Sequence, residues 1–348
     1  MKKLLSLVMT GVVAMSALTA CGSSQSTTAG TTAAGNAGSA ETTAAGNAGS
    51  GTASGEEVVF GTGGTTGTYY AVGGVMATVL NPLMKNSHLT VTSTGASKAN
   101  IQLIDDGDAD IAIVQNDVMA YAHDGSDLFA DEGAYETFAP VAGLYDETVQ
   151  IITCTDDIKT VADLKGKTVS VGDAGSGVEF NARQILDAYG LSFDDIKVVN
   201  ASFGDSADSL KDQKIDAAFI VAGAPTTAVV DLSTTKDIHL VELDDEHIST
   251  LQGKYSFYTP TTIPAGTYKG VDADAKTVSV RATIIASTKL SEDVIYEMLK
   301  TMFDNKDALA AGYAKFELLS LEDATKGINI PFHPGAKKYY EEQGISVN

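Results

Sequence analysis

The sequence predicts an α/β protein with two similar lobes that face each other across a cleft. Short apolar segments alternate with segments whose apolar residues recur at helical spacing, which is typical of parallel βαβ units. The order helix, polar turn, Asp and apolar strand occurs twice, at 94–114 and again at 203–221. The chain has 348 residues, 44% of them hydrophobic, which is enough for two hydrophobic cores.

The chain begins with the features of an export signal. Lys2 and Lys3 precede the apolar segment 4–17, which is shorter than the roughly 20 residues that a membrane span needs. The letters LTAC at 18–21 resemble a bacterial lipobox. We therefore expect 1–20 to be a lipoprotein signal peptide and Cys21 to be lipidated. An ordinary cleavage site beside an incidental cysteine is the alternative.

The next segment, 21–55, is predicted to be a flexible tether. From 22 to 55 it consists almost only of Gly, Ala, Ser, Thr, Asn and Gln, and TTAAGNAGS occurs at 31–39 and again at 42–50. Without large apolar side chains, such a segment cannot offset the entropy lost on ordering. It would hold a folded domain near a membrane surface.

Composition excludes several classes of protein. The formal charge is −22, and it becomes −24 when Lys2 and Lys3 are removed with the signal peptide. Such a negative field disfavours nucleic acid as a partner. Two cysteines exclude a disulfide framework, and HExxH, paired CxxC and Walker-type motifs are absent from the sequence.

The first series of elements follows the tether. It consists of a strand at 58–60, a helix over 72–80, a strand at 89–91, a helix around 99–104 and strands at 111–114, 141–144 and 149–154. The second series begins at 167–171. It continues with a helix at 178–189, a strand at 196–199, a helix at 207–211, a strand at 217–221, a helix near 226–232 and a strand at 238–243. A strand at 278–285 and helices at about 292–305 and 307–313 are expected to return to the first lobe.

Glycine-rich turns after strands are the candidate binding elements. The first, GTGGTTG at 61–67, lacks the basic residue and the downstream acid that a dinucleotide site needs. The turns at 63–68, 93–97, 173–177 and 222–226 would each present free backbone N–H groups at a helix start, which suits an anionic or polar ligand. Tight turns that serve packing alone are the alternative. Ser176 and Glu179 also have capping-box spacing, which would be structural.

Catalytic and metal sites find little support. No GxSxG motif is present, and the acids at 105–110 lie on a helix-to-strand turn that is expected to be solvated rather than to bind calcium. We predict no catalytic residue, no metal and no cofactor. The two arginines, Arg183 and Arg281, could each pair with a carboxylate ligand or form a structural ion pair.

Several motifs, taken in order, resemble the TAXI family of solute receptors, which serve one branch of the tripartite ATP-independent periplasmic (TRAP) transporters. They are GTGGTTGTYY at 61–70, STG at 93–95, DIAIVQ at 110–115, VGDAGSG at 171–177 with NAR at 181–183, YTPTTIPAGTY at 258–268 and PFHPG at 331–335. The likeness covers nearly all of 56–348. Lys98 and Val178 depart from the family pattern. Lys98 could add positive charge for a carboxylate or be merely exposed.

The resemblance implies a type II periplasmic-binding-protein fold that binds a small carboxylate, such as glutamate or a related dicarboxylate, and delivers it to an ion-driven TRAP permease. It implies lobes at 56–152 and 153–275 with a return segment at 276–348, a monomer, and a location on the outer face of the bacterial cell membrane, periplasmic in a Gram-negative host. Alternatives are a receptor for an ABC importer or an exported α/β enzyme. The ligand contacts implied are Gly63, Thr66, Gly67, Tyr69, Gln115, Ser176, Gly177, Asn181, Arg183, Thr226 and Tyr258.

Overall fold

The structure is a computed structural model that describes residues 55–348. The predicted signal peptide, Cys21 and the tether up to residue 54 lie outside the described residues. Within 55–348, no helix is both long and apolar enough to cross a membrane.

The first half of the sheet is parallel, as the alternating pattern predicts. Its elements are β1 (Glu56–Gly61), α1 (Thr68–Leu80), β2 (Ser87–Thr92), α2 (Ser97–Asp106) and β3 (Ile111–Gln115). Strand β1 lies between β2 and β3 and pairs parallel with both. Each helix therefore starts at the same edge of the sheet, beyond the carboxyl ends of the strands.

A helix that the sequence analysis missed follows β3 directly. Helix α3 (Asn116–Asp124) begins without a glycine or proline turn. Its first turn buries the polar residues Asn116 and Asp117. These two residues interrupt the apolar spacing that identifies the other helices.

Strand β4 (Phe138–Thr153) corrects the prediction of two separate strands at 141–144 and 149–154. The polar residues Asp146 and Glu147 do not end the strand, because each has a specific partner. Asp146 forms an ion pair with Arg281 at 3.0 Å. The Glu147 carboxyl group accepts a hydrogen bond from the Tyr69 hydroxyl at 2.6 Å.

The second half of the sheet repeats the parallel arrangement. Its elements are β5 (Thr168–Ser170), α4 (Gly177–Ala188), β6 (Lys197–Val199), α5 (Phe203–Lys211), β7 (Ala217–Ala222), α6 (Thr227–Thr235) and β8 (His239–Val241). Strand β5 lies between β6 and β7 and pairs parallel with both. The start of α4 is thus placed at the carboxyl end of β5.

The remaining elements are α7 (Asp245–Lys254), β9 (Thr259–Ile263), β10 (Ala275–Ser287), α8 (Glu292–Asp304), α9 (Lys306–Gly312) and α10 (Pro334–Glu342). Strand β9 and helix α10 were not predicted from the sequence. Buried residues of α8 and α10, including Met298 and Tyr340, belong to the same apolar cluster as Phe60 of β1 and Met76 of α1.

Strands β4 and β10 join the two halves. The strand order is β2-β1-β3-β10-β4-β7-β5-β6, with β8 beside β4 and β9 beside β10. Strand β4 pairs antiparallel with β10 along its first part and with β7 from Thr148 onwards. The strands therefore form one hydrogen-bonded series across both halves. The α/β fold class is confirmed.

Candidate functional site

A pocket lies where the first half of the sheet faces the second. It is formed by the starts of α1, α2, α4 and α5 together with the ends of β3 and β7 and the middle of β4. The lining residues are Gly63, Gly64, Gly67, Thr68, Tyr69, Ala96, Ser97, Gln115, Glu147, Asp173, Ser176, Gly177, Val178, Phe203, Val221 and Ala222. Six of the predicted contacts are among them, namely Gly63, Gly67, Tyr69, Gln115, Ser176 and Gly177.

Three helices start at this pocket without a side-chain cap. Their first flanking residues are Gly67 for α1, Ala96 for α2 and Ser176 for α4, and none of these accepts a capping hydrogen bond through its side chain. An uncapped helix start presents backbone N–H groups and a partial positive charge. Three such starts around one pocket favour a ligand with an anionic group.

Two side chains in the pocket have unpartnered polar atoms. Ser176 and Gln115 are 3% and 2% exposed, and neither Ser176 Oγ nor Gln115 Oε1 has a hydrogen-bond partner. The capping box expected from the spacing is wrong, because Glu179 instead accepts from the Gly175 N–H at 2.9 Å. The Ser176 hydroxyl is therefore available to a ligand rather than used as a cap.

The two halves are in close contact around the pocket, and we call this arrangement closed. The Lys98 N–H donates to the Gly175 carbonyl at 3.0 Å. At Gly177, an added β carbon would lie 2.2 Å from Gln115 Oε1, so a larger residue fits only when the Gln115 amide moves. A glycine at the start of α4 thus permits the approach of the two halves.

The sequence analysis missed Glu147, which is the most unusual residue of the pocket. Its side chain is 2% exposed, and only Oε2 has a partner, the Tyr69 hydroxyl. Desolvation by burial raises the pKa of Glu147 well above its ordinary value. No Lys, Arg or His is among the described residues that line the pocket. The available signal was a pair of acids, Asp146 and Glu147, between two apolar segments.

One predicted contact, Thr66, lies in an adjoining outer groove. The groove opens beside the pocket and is rich in hydroxyl groups, with Thr65, Ser93, Thr94 and Ser202 among its lining residues. Asp173 lines both the groove and the pocket. The groove therefore adjoins the pocket.

Asn181 and Tyr258 lie behind the pocket and do not line it. The Asn181 amide nitrogen donates to Asp117 Oδ2 and to the Tyr258 hydroxyl, both at 2.9 Å. The Tyr258 hydroxyl in turn donates to Gln184 Oε1 at 2.7 Å. These side chains join α3 to α4, and direct ligand contact by either residue stays a prediction.

Arg183 and Thr226 also have protein partners. Arg183 is at the surface, where its guanidinium group pairs with Glu179 at 2.9 Å and lies over the Phe193 ring. The Thr226 hydroxyl accepts from Gln150 at 2.9 Å at the start of α6. Neither residue lines the pocket.

Lys98, which the sequence analysis considered as added charge for the ligand, is held away from the pocket. Its ammonium group forms an ion pair with Glu132 and donates to the Leu128 carbonyl at 2.8 Å. The side chain is 15% exposed. The alternative that Lys98 is merely exposed is also wrong, because most of its side chain is buried.

Comparisons with known proteins find a match to one family model and several similar solved structures. The model of the NMT1-like family matches residues 60–344. Among solved structures, the chain is similar to the periplasmic aliphatic sulphonate binding protein SsuA from Escherichia coli, with 17% identity, a TM-score of 0.44 and coverage of 82% of this chain and 83% of that one. It is also similar to a putative L-cystine ABC transporter from Listeria monocytogenes, with 14% identity, a TM-score of 0.45 and coverage of 75% and 95%. A mutant of ArgBP from T. maritima gives 14% identity, a TM-score of 0.45 and coverage of 75% and 93%.

Proposed function

Because the chain belongs to the NMT1-like family, we propose that it is a solute receptor that acts outside the cytoplasm and performs no catalysis. One observation carries this proposal. Three uncapped helix starts, the unpartnered Ser176 hydroxyl and the unpartnered Gln115 amide oxygen meet in one pocket between two halves that contact each other. A buried polar atom without a partner costs free energy, which a bound ligand would recover.

We further propose that the ligand is a small carboxylate of the glutamate type. The helix starts would hold a carboxylate without a basic side chain, since backbone N–H groups and the helix dipole act as the positive partner. A second ligand group, of positive charge, would then lie beside Glu147. An ammonium group on the ligand would pair with its carboxylate, whereas a ligand without a positive group would require Glu147 to be neutral.

The transport partner we propose is an integral-membrane permease of the TRAP type. The support is the ordered set of motifs that resembles the TAXI receptors, together with the predicted signal peptide and lipid anchor. An ABC importer is the competing partner. Uptake by vesicles that contain the permease encoded beside the receptor gene distinguishes the two partners. A TRAP permease needs an ion gradient, whereas an ABC importer needs ATP.

Thermal unfolding in the presence of candidate ligands tests the receptor proposal. We expect L-glutamate, 2-oxoglutarate or succinate to raise the melting temperature in a concentration-dependent way, while neutral amino acids do not. If no small carboxylate raises it, the carboxylate assignment is wrong. Recovery of a chemically altered ligand after incubation, prevented by Glu147→Gln, would instead indicate an enzyme.

A further inference from the structure

A buried pair of side chains joins the two halves behind the pocket. Asp117 belongs to α3 and is 1% exposed, and Asn181 belongs to α4 and is fully buried. One N–H of the Asn181 amide donates to Asp117 Oδ2 at 2.9 Å, and the amide nitrogen also donates to the Tyr258 hydroxyl at 2.9 Å. Helix α4 begins at Gly177 in the pocket, so this pair fixes the element that carries the ligand contacts.

The remaining oxygen atom of each partner has no hydrogen bond. Asp117 Oδ1 and Asn181 Oδ1 are both buried and unpartnered. An ionised carboxylate can only accept, and an amide oxygen can only accept, so the two oxygens cannot satisfy each other as they stand. A proton on Asp117 Oδ1 resolves this, because a carboxylic acid and an amide can form two hydrogen bonds at once.

We propose that Asp117 is a positioning residue whose carboxyl group is neutral in the closed protein and donates from Oδ1 to Asn181 Oδ1, so that closure of the pocket takes up a proton. This proposal rests on the proposed receptor function only where it links closure of the pocket to ligand binding. The pair itself is a feature of the fold. It assigns Asn181 to the contact between the halves, where the sequence analysis expected a ligand contact.

The surroundings of Asp117 favour the neutral form. The titratable groups that face it are Asp127 beyond the end of α3, Glu147 of β4, Tyr121 of α3 and Tyr258 before β9. Asp127 would repel an anion at this position, and among the described residues no lysine or arginine pairs with Asp117. Desolvation by burial raises the pKa of Asp117 from 3.8 to about 7, although the nearby N–H groups of Val118 and Asp117 and the Asn181 amide act in the opposite direction.

The direction of the pH effect follows from this difference in pKa. In an open or unfolded chain the pKa of Asp117 returns towards 3.8, so between pH 4 and pH 7 the closed form binds one more proton. Closure is therefore favoured as the pH falls and loses this contribution as the pH rises through 7. A ligand that binds the closed form would gain at most about tenfold in affinity for each unit of pH lowered within that window.

The test compares wild type with Asp117→Asn without ligand. An asparagine at 117 can form the same two hydrogen bonds but cannot titrate. We expect the wild-type melting temperature to fall between pH 5.5 and pH 7.5 relative to that of the variant. Asp131→Asn, at an exposed acid that follows the same helix, is the control and should behave as wild type. If wild type and Asp117→Asn change in parallel with pH, the proposal is overturned.

A second measurement does not depend on the folding of that variant. In the Glu147→Gln background, which lacks the other buried acid of this region, infrared spectra should show a protonated carboxylic acid carbonyl at pH 6 that is lost above pH 7. Absence of that band contradicts a neutral Asp117. A melting temperature that depends on sodium rather than on pH would show that a cation, not a proton, joins the two oxygens.

The link to ligand is measured by titration calorimetry with L-glutamate in buffers of different ionisation enthalpy at pH 6.5. We expect net proton uptake in wild type and its loss in Asp117→Asn. If wild type and Asp117→Asn bind L-glutamate with the same proton uptake, the proposed link between ligand binding and protonation of Asp117 is overturned. Failure of every carboxylate to bind would refute the carboxylate assignment, while the ligand-free comparison would still decide the state of Asp117.

Discussion

At the scale of single residues, Gly177 decides how closely the two halves approach. It is the first residue of α4, and the Gln115 amide occupies the space where its side chain would be. The conformational freedom of glycine is not the requirement here, since only the missing β carbon matters. Ligand enclosure thus depends on the absence of one atom.

Gly177→Ala should weaken ligand binding by about tenfold or more, because the added methyl group displaces the Gln115 amide or keeps the pocket open. Calorimetry with the carboxylate found in the thermal screen measures this loss, and circular dichroism checks that the fold is retained. Gly74→Ala in α1 is the matched control, since nothing lies within 4 Å of its added carbon. Unchanged affinity in Gly177→Ala would show that the pocket does not close at this position.

Glu147→Gln should discriminate between ligands that differ at one group. L-Glutamate carries an α-ammonium group where 2-oxoglutarate carries a carbonyl. If Glu147 pairs with the ammonium group, the substitution weakens binding of L-glutamate and leaves 2-oxoglutarate unaffected. Glu136→Gln, at an exposed acid, controls for the change in net charge. Equal losses for both ligands would refute a specific contact with the ammonium group.

The sequence predicts those site residues that lie in local motifs. Gly63, Gly67, Ser176 and Gly177 follow strands in glycine-rich turns, and such turns identify helix starts without knowledge of distant partners. Glu147 could not be found in this way, because its partner Tyr69 is 78 residues away. The hydrogen bond between Asn181 and Asp117 could not be predicted either, since the two residues are 64 positions apart.

At the scale of elements, the predictions succeeded where periodicity was clear and failed where buried polar residues interrupt it. The parallel strands β1, β3, β5 and β7 were predicted, each from a short segment that contains apolar residues. Helix α3 and the middle of β4 contain buried acids and amides that satisfy long-range partners, so their sequences do not have the expected apolar pattern. The same polar residues line the pocket or form the contact between α3 and α4 behind it.

The start of α6 provides a test of such an internal polar contact. The Tyr268 hydroxyl is buried, donates to the Gln150 amide oxygen and accepts from the Thr226 N–H. Tyr268→Phe leaves both groups unpartnered and should lower the free energy of unfolding by about 1–3 kcal/mol. Urea denaturation measures this change. Tyr296→Phe, whose hydroxyl bonds Glu342 at the surface, should have an effect within about 0.5 kcal/mol. Similar small effects for both would contradict the argument.

At the scale of the whole molecule, the proposed anchor and the folded domain should act independently. Cys21→Ser is expected to release the protein from membranes, because it removes the atom that would carry the lipid, while ligand affinity stays unchanged. Membrane fractionation and calorimetry on the released protein measure the two effects. Loss of affinity in this variant would contradict a passive tether, and retention in the membrane fraction would contradict lipidation.

The order of the strands has a consequence for synthesis and secretion. Strand β10 lies between β3 and β4 and pairs with both, although Ala282 follows its β3 partner Gln115 by more than 160 residues. The first half of the sheet cannot be completed until the ribosome has made the chain as far as Ser287. Contacts of such long range slow folding. Late insertion of β10 would therefore keep the first half of the sheet incomplete during synthesis, which suits the export that the predicted signal peptide at 1–20 implies.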